Sequence, residues 1–517
     1  MNFRLRSRLF GLSVLLVVVV TFPSSLRAAT NDWFGIRVVD ATTGRGVPLV
    51  ELETVNHLRF VTDNAGWAAI NEPGWAGQPV FFAVHSHGYE FPKDGFGSAG
   101  LILTNTPGGR VTIRLPRRHV AERLYRVTGE GLYRDSVLLG EPTPLAEPLG
   151  SGLVAGQDSV QAALYHGKIH WFWGDTARLK YPLGNFRTAG AMSDLLGHGG
   201  LDPARGINLR YWTNAEGFSR EMIPLPGGAP GVVWIDGVVV VPDAQGREQM
   251  VAHYSHRESL AVQLEHGLAV WNDAQAVFER RVILATNETW RFVQGHPTRW
   301  RADGREFLLC GEHLPNLRVP ARLEDVLNPT RYEAWTCLAT NHNAHGELLP
   351  QRGAAGALAW NWRSDSAPTR NVDELRWLKA GLLKTNELRF LPRDVESGKP
   401  VLLHGGSVRW NAHRQRWIAI AVETSGTSFL GEVWYAEARE PLGPWRLARK
   451  IVTHERYSFY NPVSHDFFDQ EDGRLIYFEG TYVNTFSGNA DATPRYDYNQ
   501  VMYRLDLDDP RLGSVRE

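Results

Sequence analysis

The chain has 517 residues and a formal net charge of −1, with 55 Lys and Arg against 56 Asp and Glu. A balance this close to zero argues against the basic footprint with which nucleic-acid-binding proteins neutralise phosphates. The length provides for two or three domains, each able to bury its own core.

Residues 1–29 read as a cleavable signal peptide. Arg4, Arg6 and Arg8 form a positive start, and the run LFGLSVLLVVVVTF at 9–22 is apolar. Small residues follow, ending at Ala28 and Ala29. The run is shorter than the about 20 residues that a membrane-crossing helix needs. The expectation is export to the periplasm or the extracellular space, with no integral membrane domain once the signal is cleaved. Cys310 and Cys337 are the only cysteines. Export permits a disulfide, and two free, buried thiols fit equally well.

From 32 to 117 the sequence predicts short strands. IRVVD (36–40), LRFVTD (58–63), QPVFFAVHS (78–86) and RVTIRLP (110–116) are rich in β-formers, and TTGRG, DNAG and TPGG punctuate them as turns. Without a helical period, this spacing predicts a β-sandwich. Val39–Gly44, Thr62–Gly66 and Gly88–Tyr89 resemble the opening, turn and strand end of the carboxypeptidase-regulatory-like, transthyretin-like sandwich. That resemblance implies an accessory or binding module.

From 124 to 512 the chain is a long series of aromatic-rich strands, among them ALYHGKIHWFWGDT, GVVWIDGVVVVPD, SVRWNAHRQRWIAIAVE and RLIYFEGTYV. Helical periodicity is confined mainly to 372–394. At about 75 residues per four-stranded blade, the segment predicts a five-bladed β-propeller. The whole chain is thus expected to be all-β. The 18 Trp and 16 Tyr admit two readings. Aromatic faces stack on sugar rings, and they also fill the cores of β-rich proteins. Their abundance favours a carbohydrate partner. No H-x-x-x-H helix, phosphate loop, nucleophile elbow or C-x-x-C motif occurs, so neither a cofactor nor a metal is expected.

Strand alternation places the polar residues that close HWFWGD, WIAIAVE and LIYFE near a common axis, which nominates Asp175, Glu423 and Glu479. The phrase GEVWYAEAREPLGPW at 431–445 resembles five-bladed glycoside hydrolases of family 43 and related clans. GQDSVQAALYHGKIHWFWGDT at 156–176 is similar to the first-blade signature of a propeller family that includes endo-D-arabinanases. These resemblances imply an exported glycoside hydrolase using two carboxyl groups, one protonated and one ionised. Carried over by position, they make Asp158 and Asp175 the catalytic pair, with Glu432 as a third acid. Asp236 in WIDG and Glu312 in CGEH are further acids that another blade supplies. His256, Arg257, His296, Arg318, His465, Glu479 and Tyr482 are candidate substrate-binding residues, since Arg and His donors hold sugar hydroxyls or a uronic carboxylate. Two other functions fit the same composition: a non-catalytic glycan-binding propeller, and a polysaccharide lyase using a Tyr or His base with an Arg.

Overall fold

The computed structural model describes residues 32–342, 348–455, 457–490, 492–494 and 496–515. The expected signal segment, 1–29, lies outside the described residues.

The N-terminal region forms two sheets. One runs Trp67–Ile70, Phe34–Asp40, Arg110–Leu115; the other runs Arg59–Val61, Glu51–Thr54, Pro79–His85, Gly100–Thr104. Ile36, Val38, Leu52, Phe82 and Ile113 form a shared core between them. The turn at 63–66 is built by its own sequence. Asp63 Oδ1 accepts the backbone N–H groups of Ala65 and Trp67, and its Oδ2 accepts the N–H and hydroxyl of Ser136. Gly66 has φ +78°, and a Cβ there would lie 2.2 Å from the Val38 carbonyl oxygen. Gly66→Ala is therefore expected to cost more than about 1 kcal/mol, measured as a lower urea midpoint with an unchanged slope.

The larger region is built mainly of five sheets in chain order, antiparallel except where Arg393–Asp394 pairs parallel with Leu447–Thr453, with two small sheets beside them. The innermost strands of the five are Gln161–Tyr165, Val232–Pro242, Thr298–Ala302, Leu403–Asn411 and Ser458–Ser464. Each sheet touches the next, and the fifth touches the first. Gln161 Nε2 reaches Asp236 Oδ1 at 3.5 Å, and Gly237 N–H donates to the Gly295 carbonyl. His296 bridges Ser407, Ser464 N–H donates to Ser407 Oγ, and Asn461 Nδ2 donates to Ser159 Oγ. The result is a closed, propeller-like ring. The fifth sheet draws its outer strand, Glu122–Arg126, from the front of the region, paired with Asn499–Asp506.

Cores lie between sheets, and strand alternation deals residues to the two flanking cores. In Leu475–Val483, which is buried along its whole length, Ile476, Phe478 and Tyr482 face the fourth sheet. Leu475 and Tyr477 face the first sheet. In Arg416–Glu423, Ile418 and Ile420 face one neighbour while Trp417, Ala419 and Ala421 face the other. A strand covered on both faces reads as a continuous apolar run. The tryptophans follow the same logic. Trp171, Trp173, Trp271, Trp417, Trp434 and Trp445 are buried in or beside these inter-sheet cores. For most of them, filling a core is the reading that the structure supports.

The helical stretch expected over 372–394 is shorter. Asn371–Lys379 is α-helical and Thr385–Glu387 is a single 3₁₀ turn. Gly381, at φ +71°, follows the first helix. The buried Glu374 carboxylate then accepts the Arg389 and Phe390 N–H groups, which fixes the rest as irregular chain. Cys310 and Cys337 are both free and buried, so the two-thiol alternative holds.

Candidate active site on the ring axis

The innermost strands converge on a polar cavity of about 160 Å³. Ser159 and Gln161 come from the first sheet, Asp236 from the second, His296 and Glu312 from the third, Gly405 from the fourth and Asn461 from the fifth. Two of these residues are held in a conformation that side chains rarely adopt. Ser159 has φ +51° and Asn461 φ +50°. They face each other across the ring closure, joined by the 2.9 Å bond from Asn461 Nδ2 to Ser159 Oγ. Gly405 permits this approach, since a Cβ there would sit 2.7 Å from Asn461 Oδ1. Backbone strain of this kind costs about 1–3 kcal/mol per residue and collects at functional sites.

Asp236 sits at a register break in its strand, between 236 and 239. Burial pushes its carboxyl up to about 7; the Gly295 N–H opposes this, and the Glu312 charge adds to it. Glu312 arrives from the loop after Arg305–Cys310, with His404 Nε2 at 3.6 Å from its Oε1. Burial, reinforced by Arg409 and His465, keeps the His296 ring well below the usual imidazole range, and hence neutral.

Asp158 adjoins the cavity through Ser159. Its Oδ2 accepts the Tyr460 hydroxyl at 2.7 Å, and its Oδ1 accepts the Asp175 N–H at 2.8 Å. Burial pushes Asp158 up to about 7, with a contribution from the Asp175 charge. Burial also raises Asp175, against the hydrogen bond from Trp234 Nε1 to its Oδ1. The structure thus brings Asp158 and Asp175 together, at the side of the axis rather than across it.

The remaining sequence candidates lie elsewhere. Glu432 is on the third strand of the fourth sheet, fully buried, and is bound by Lys450 and by the hydroxyls of Thr427 and Thr453. Burial pushes it up, but these partners outweigh burial and hold it below the usual range. Period-2 alternation sends Glu479 between the fifth and first sheets, not to the axis. There its Oε1 meets His465 Nε2 at 2.8 Å, with both side chains almost fully buried. Tyr482 is buried against Tyr457 and bonds Thr493. Arg318 pairs with Glu333 and lies over Phe307 and Trp362. His256 contacts the Pro230 carbonyl, while Arg257 binds the Ser259 and Leu260 carbonyls and sits over Trp234.

Of the substrate-binding candidates, only His296 lines the axial cavity. Sequence reasoning passed over Ser159 and Gln161, uncharged residues inside the 156–176 phrase, and Asn461, which is uncharged as well. Their one signal, a positive φ at two of them, exists only in three dimensions.

A carboxyl group whose folded pKa is raised binds more protons in the native state than in the unfolded state. Stability then falls as pH rises from the unfolded value through the folded one. Asp236→Asn removes this loss. The variant is expected to melt at a higher temperature than the parent at pH 7.5, with the difference vanishing at pH 4, read by calorimetry at both pH values.

No helix among the described residues is long and apolar enough to cross a membrane. Among those residues no group of three or more His, Cys, Asp or Glu side chains is arranged to hold a metal ion.

No protein-family model matches the chain, and no curated protein does. Several solved structures are similar to it. A putative exo-beta-1,3-galactanase from Bifidobacterium bifidum is 9% identical, with 75% of this chain and 94% of that chain covered and a TM-score of 0.37. An exo-beta-1,3-galactanase from Phanerochaete chrysosporium with galactose is 8% identical, covering 75% and 65%, with a TM-score of 0.36. A GH43_1 enzyme from Xanthomonas citri complexed with xylotriose is 10% identical, covering 68% and 86%, with a TM-score of 0.31.

Proposed function

We propose that the protein is an exported glycoside hydrolase whose chemistry takes place in the axial cavity of a five-bladed propeller, behind an N-terminal sandwich at 32–117. One observation carries this reading. Acids from different sheets, Asp236 and Glu312, line one small polar cavity, and the charge of one raises the proton affinity of the other. Glycoside cleavage needs that combination: a carboxyl that keeps its proton for the leaving oxygen, and a carboxylate that acts as base or nucleophile.

In this reading Asp236, half protonated near pH 7, donates the proton. Glu312, the more open of the two, is the carboxylate. Asp158 is a third acid beside the cavity, and Asp175 tunes it. This modifies the set expected from sequence, in which Asp158 and Asp175 are the catalytic pair and Glu432 is the third acid. Ser159, Gln161 and Asn461 hold sugar hydroxyls. The charged, apolar-cored start of the chain supports action outside the cytoplasm.

The test is a panel of soluble polysaccharides assayed for new reducing ends. Hydrolysis of one member, abolished by Glu312→Gln, supports the reading. Retention of a polymer without cleavage would make the ring a binding module. New unsaturated ends would make it a lyase.

A further inference from the structure

The axial cavity, at about 160 Å³, is smaller than the about 300–1,000 Å³ that common ligand sites enclose. A chain-like ligand with one unit there has to continue onto the rim. The rim therefore bears on how many sugar units the site takes.

The strand Ser458–Ser464 brings two consecutive residues to the ring closure. Asn461 Nδ2 donates to Ser159 Oγ in the cavity wall, and the Tyr460 hydroxyl donates to Asp158 Oδ2 next to it. Tyr460 has a further neighbour. The Phe486 ring meets it edge-on, with centroids 5.4 Å apart and planes at 70°. One buried side chain thus separates Phe486 from the Asp158 carboxyl. Phe486 itself is 44% exposed, so a ligand on the rim can reach its ring.

The turn that carries Phe486 is closed on itself. Asn484 N–H donates to Asp497 Oδ1 at 2.8 Å, and the same oxygen accepts the Tyr457 hydroxyl. Ser487 N–H and the Ser487 hydroxyl both bond the Asn484 carbonyl. Asn484 Nδ2 donates to the Asn489 carbonyl at 3.0 Å, and Gly488 reverses the chain at φ +73°. A lone exposed apolar side chain is ordinary on a protein surface. Phe486 differs in two respects. It stands beside a polar cavity lined by Asp236 and Glu312. Its backbone is already ordered, so covering the ring with a ligand carries little further ordering cost.

We infer that Phe486 is the platform for the sugar unit next to the one in the axial cavity, and that the site accordingly takes a glycan of at least two units. The C–H face of that second unit covers the exposed ring. The inference rests on the reading above in one respect, that the axial cavity holds a glycan. Phe486 acts here by binding and takes no part in proton transfer.

The test compares the full chain with its variants Phe486→Ala and Phe486→Trp. Phe96→Ala, which removes an exposed ring of the N-terminal region, is the control. Galactan, arabinoxylan, galactomannan and dextran are the probes. On a cleaved polymer and its oligosaccharides, Phe486→Ala should raise KM at least about fivefold with kcat within about twofold of the parent, the mark of lost uniform binding. Inhibition by the free monosaccharide, which fills the cavity alone, should not change. Phe486→Trp should restore KM, and Phe96→Ala should match the parent. A role confined to supporting Tyr460 would instead lower kcat and the melting temperature and weaken the monosaccharide too.

Retardation in gels containing the same polymers separates this inference from the hydrolase reading. If the parent cleaves none of them but one retards it, hydrolysis is refuted, and the platform stands only if Phe486→Ala abolishes the retardation. Three results would each overturn the inference. One is an unchanged KM in Phe486→Ala while Glu312→Gln abolishes cleavage. Another is a loss in Phe486→Ala that extends equally to the monosaccharide or that Phe486→Trp does not restore. The last is a parent that neither cleaves nor is retarded by any of the polymers.

Discussion

Glu312→Gln and Asp236→Asn are each expected to lower kcat on a cleaved polysaccharide by about 10²–10⁴, the usual worth of a positioned acid or base. Glu432→Gln should leave kcat within a few-fold of the parent. The contrast follows from position. Glu312 and Asp236 line the axial cavity, whereas Glu432 spends its carboxylate on Lys450 and two threonines inside the fourth sheet. The pH profile separates the two cavity acids. If Asp236 must carry a proton, activity falls as pH rises past about 7. Asp236→Asn then abolishes that alkaline limb in whatever activity remains. A profile unchanged in the Asn variant would mean that Asp236 does not deliver the proton.

The second large effect concerns stability. His465→Leu strands the Glu479 carboxylate between two sheets. Both side chains are almost fully buried, and Glu479 Oε2 already lacks a partner among the described residues. Removing one member of a buried hydrogen-bonded pair costs about 1–3 kcal/mol, because the other is left buried and unsatisfied. Replacing both members with apolar residues of similar size is often neutral. His465→Leu/Glu479→Leu should therefore recover most of the loss in a urea titration. A single variant as stable as the parent would show that the pair contributes nothing to folding.

These two sites also show what sequence can reveal. The strands were legible because their alternation is local: 475–483 and 416–423 declare themselves by composition. What alternation does not say is which way each side chain points, because a strand inside the ring is covered on both faces. Glu479 and Asp175 both close aromatic strands, yet Glu479 turns into the space between two sheets. Asp236 was visible as an acid, but WIDG also reads as a tight turn, and only the register break between 236 and 239 carries it to the axis. Glu312 was visible beside His313 without a motif to single it out. Ser159 and Asn461, some 300 residues apart in sequence, meet only when the ring closes. The tryptophans misled for the same reason. Composition counts aromatic rings but not their surroundings, and most of these rings pack against one another between sheets.

The strand Glu122–Arg126 has a consequence for assembly. It leaves the ribosome well before its partner Asn499–Asp506, since paired residues such as Glu122 and Arg504 lie 382 positions apart. The ring therefore has no complete fifth sheet until residues 499–506 are available. Until then Ser458–Ser464 and Leu475–Val483 present an open hydrogen-bonding edge, the kind of surface on which chains join one another. A chain cut before residue 499 should accumulate as aggregates rather than as a smaller folded protein. Joining the ends of the ring region and reopening it at an exposed hairpin between two sheets would remove that wait, because the fifth sheet would then form from consecutive strands.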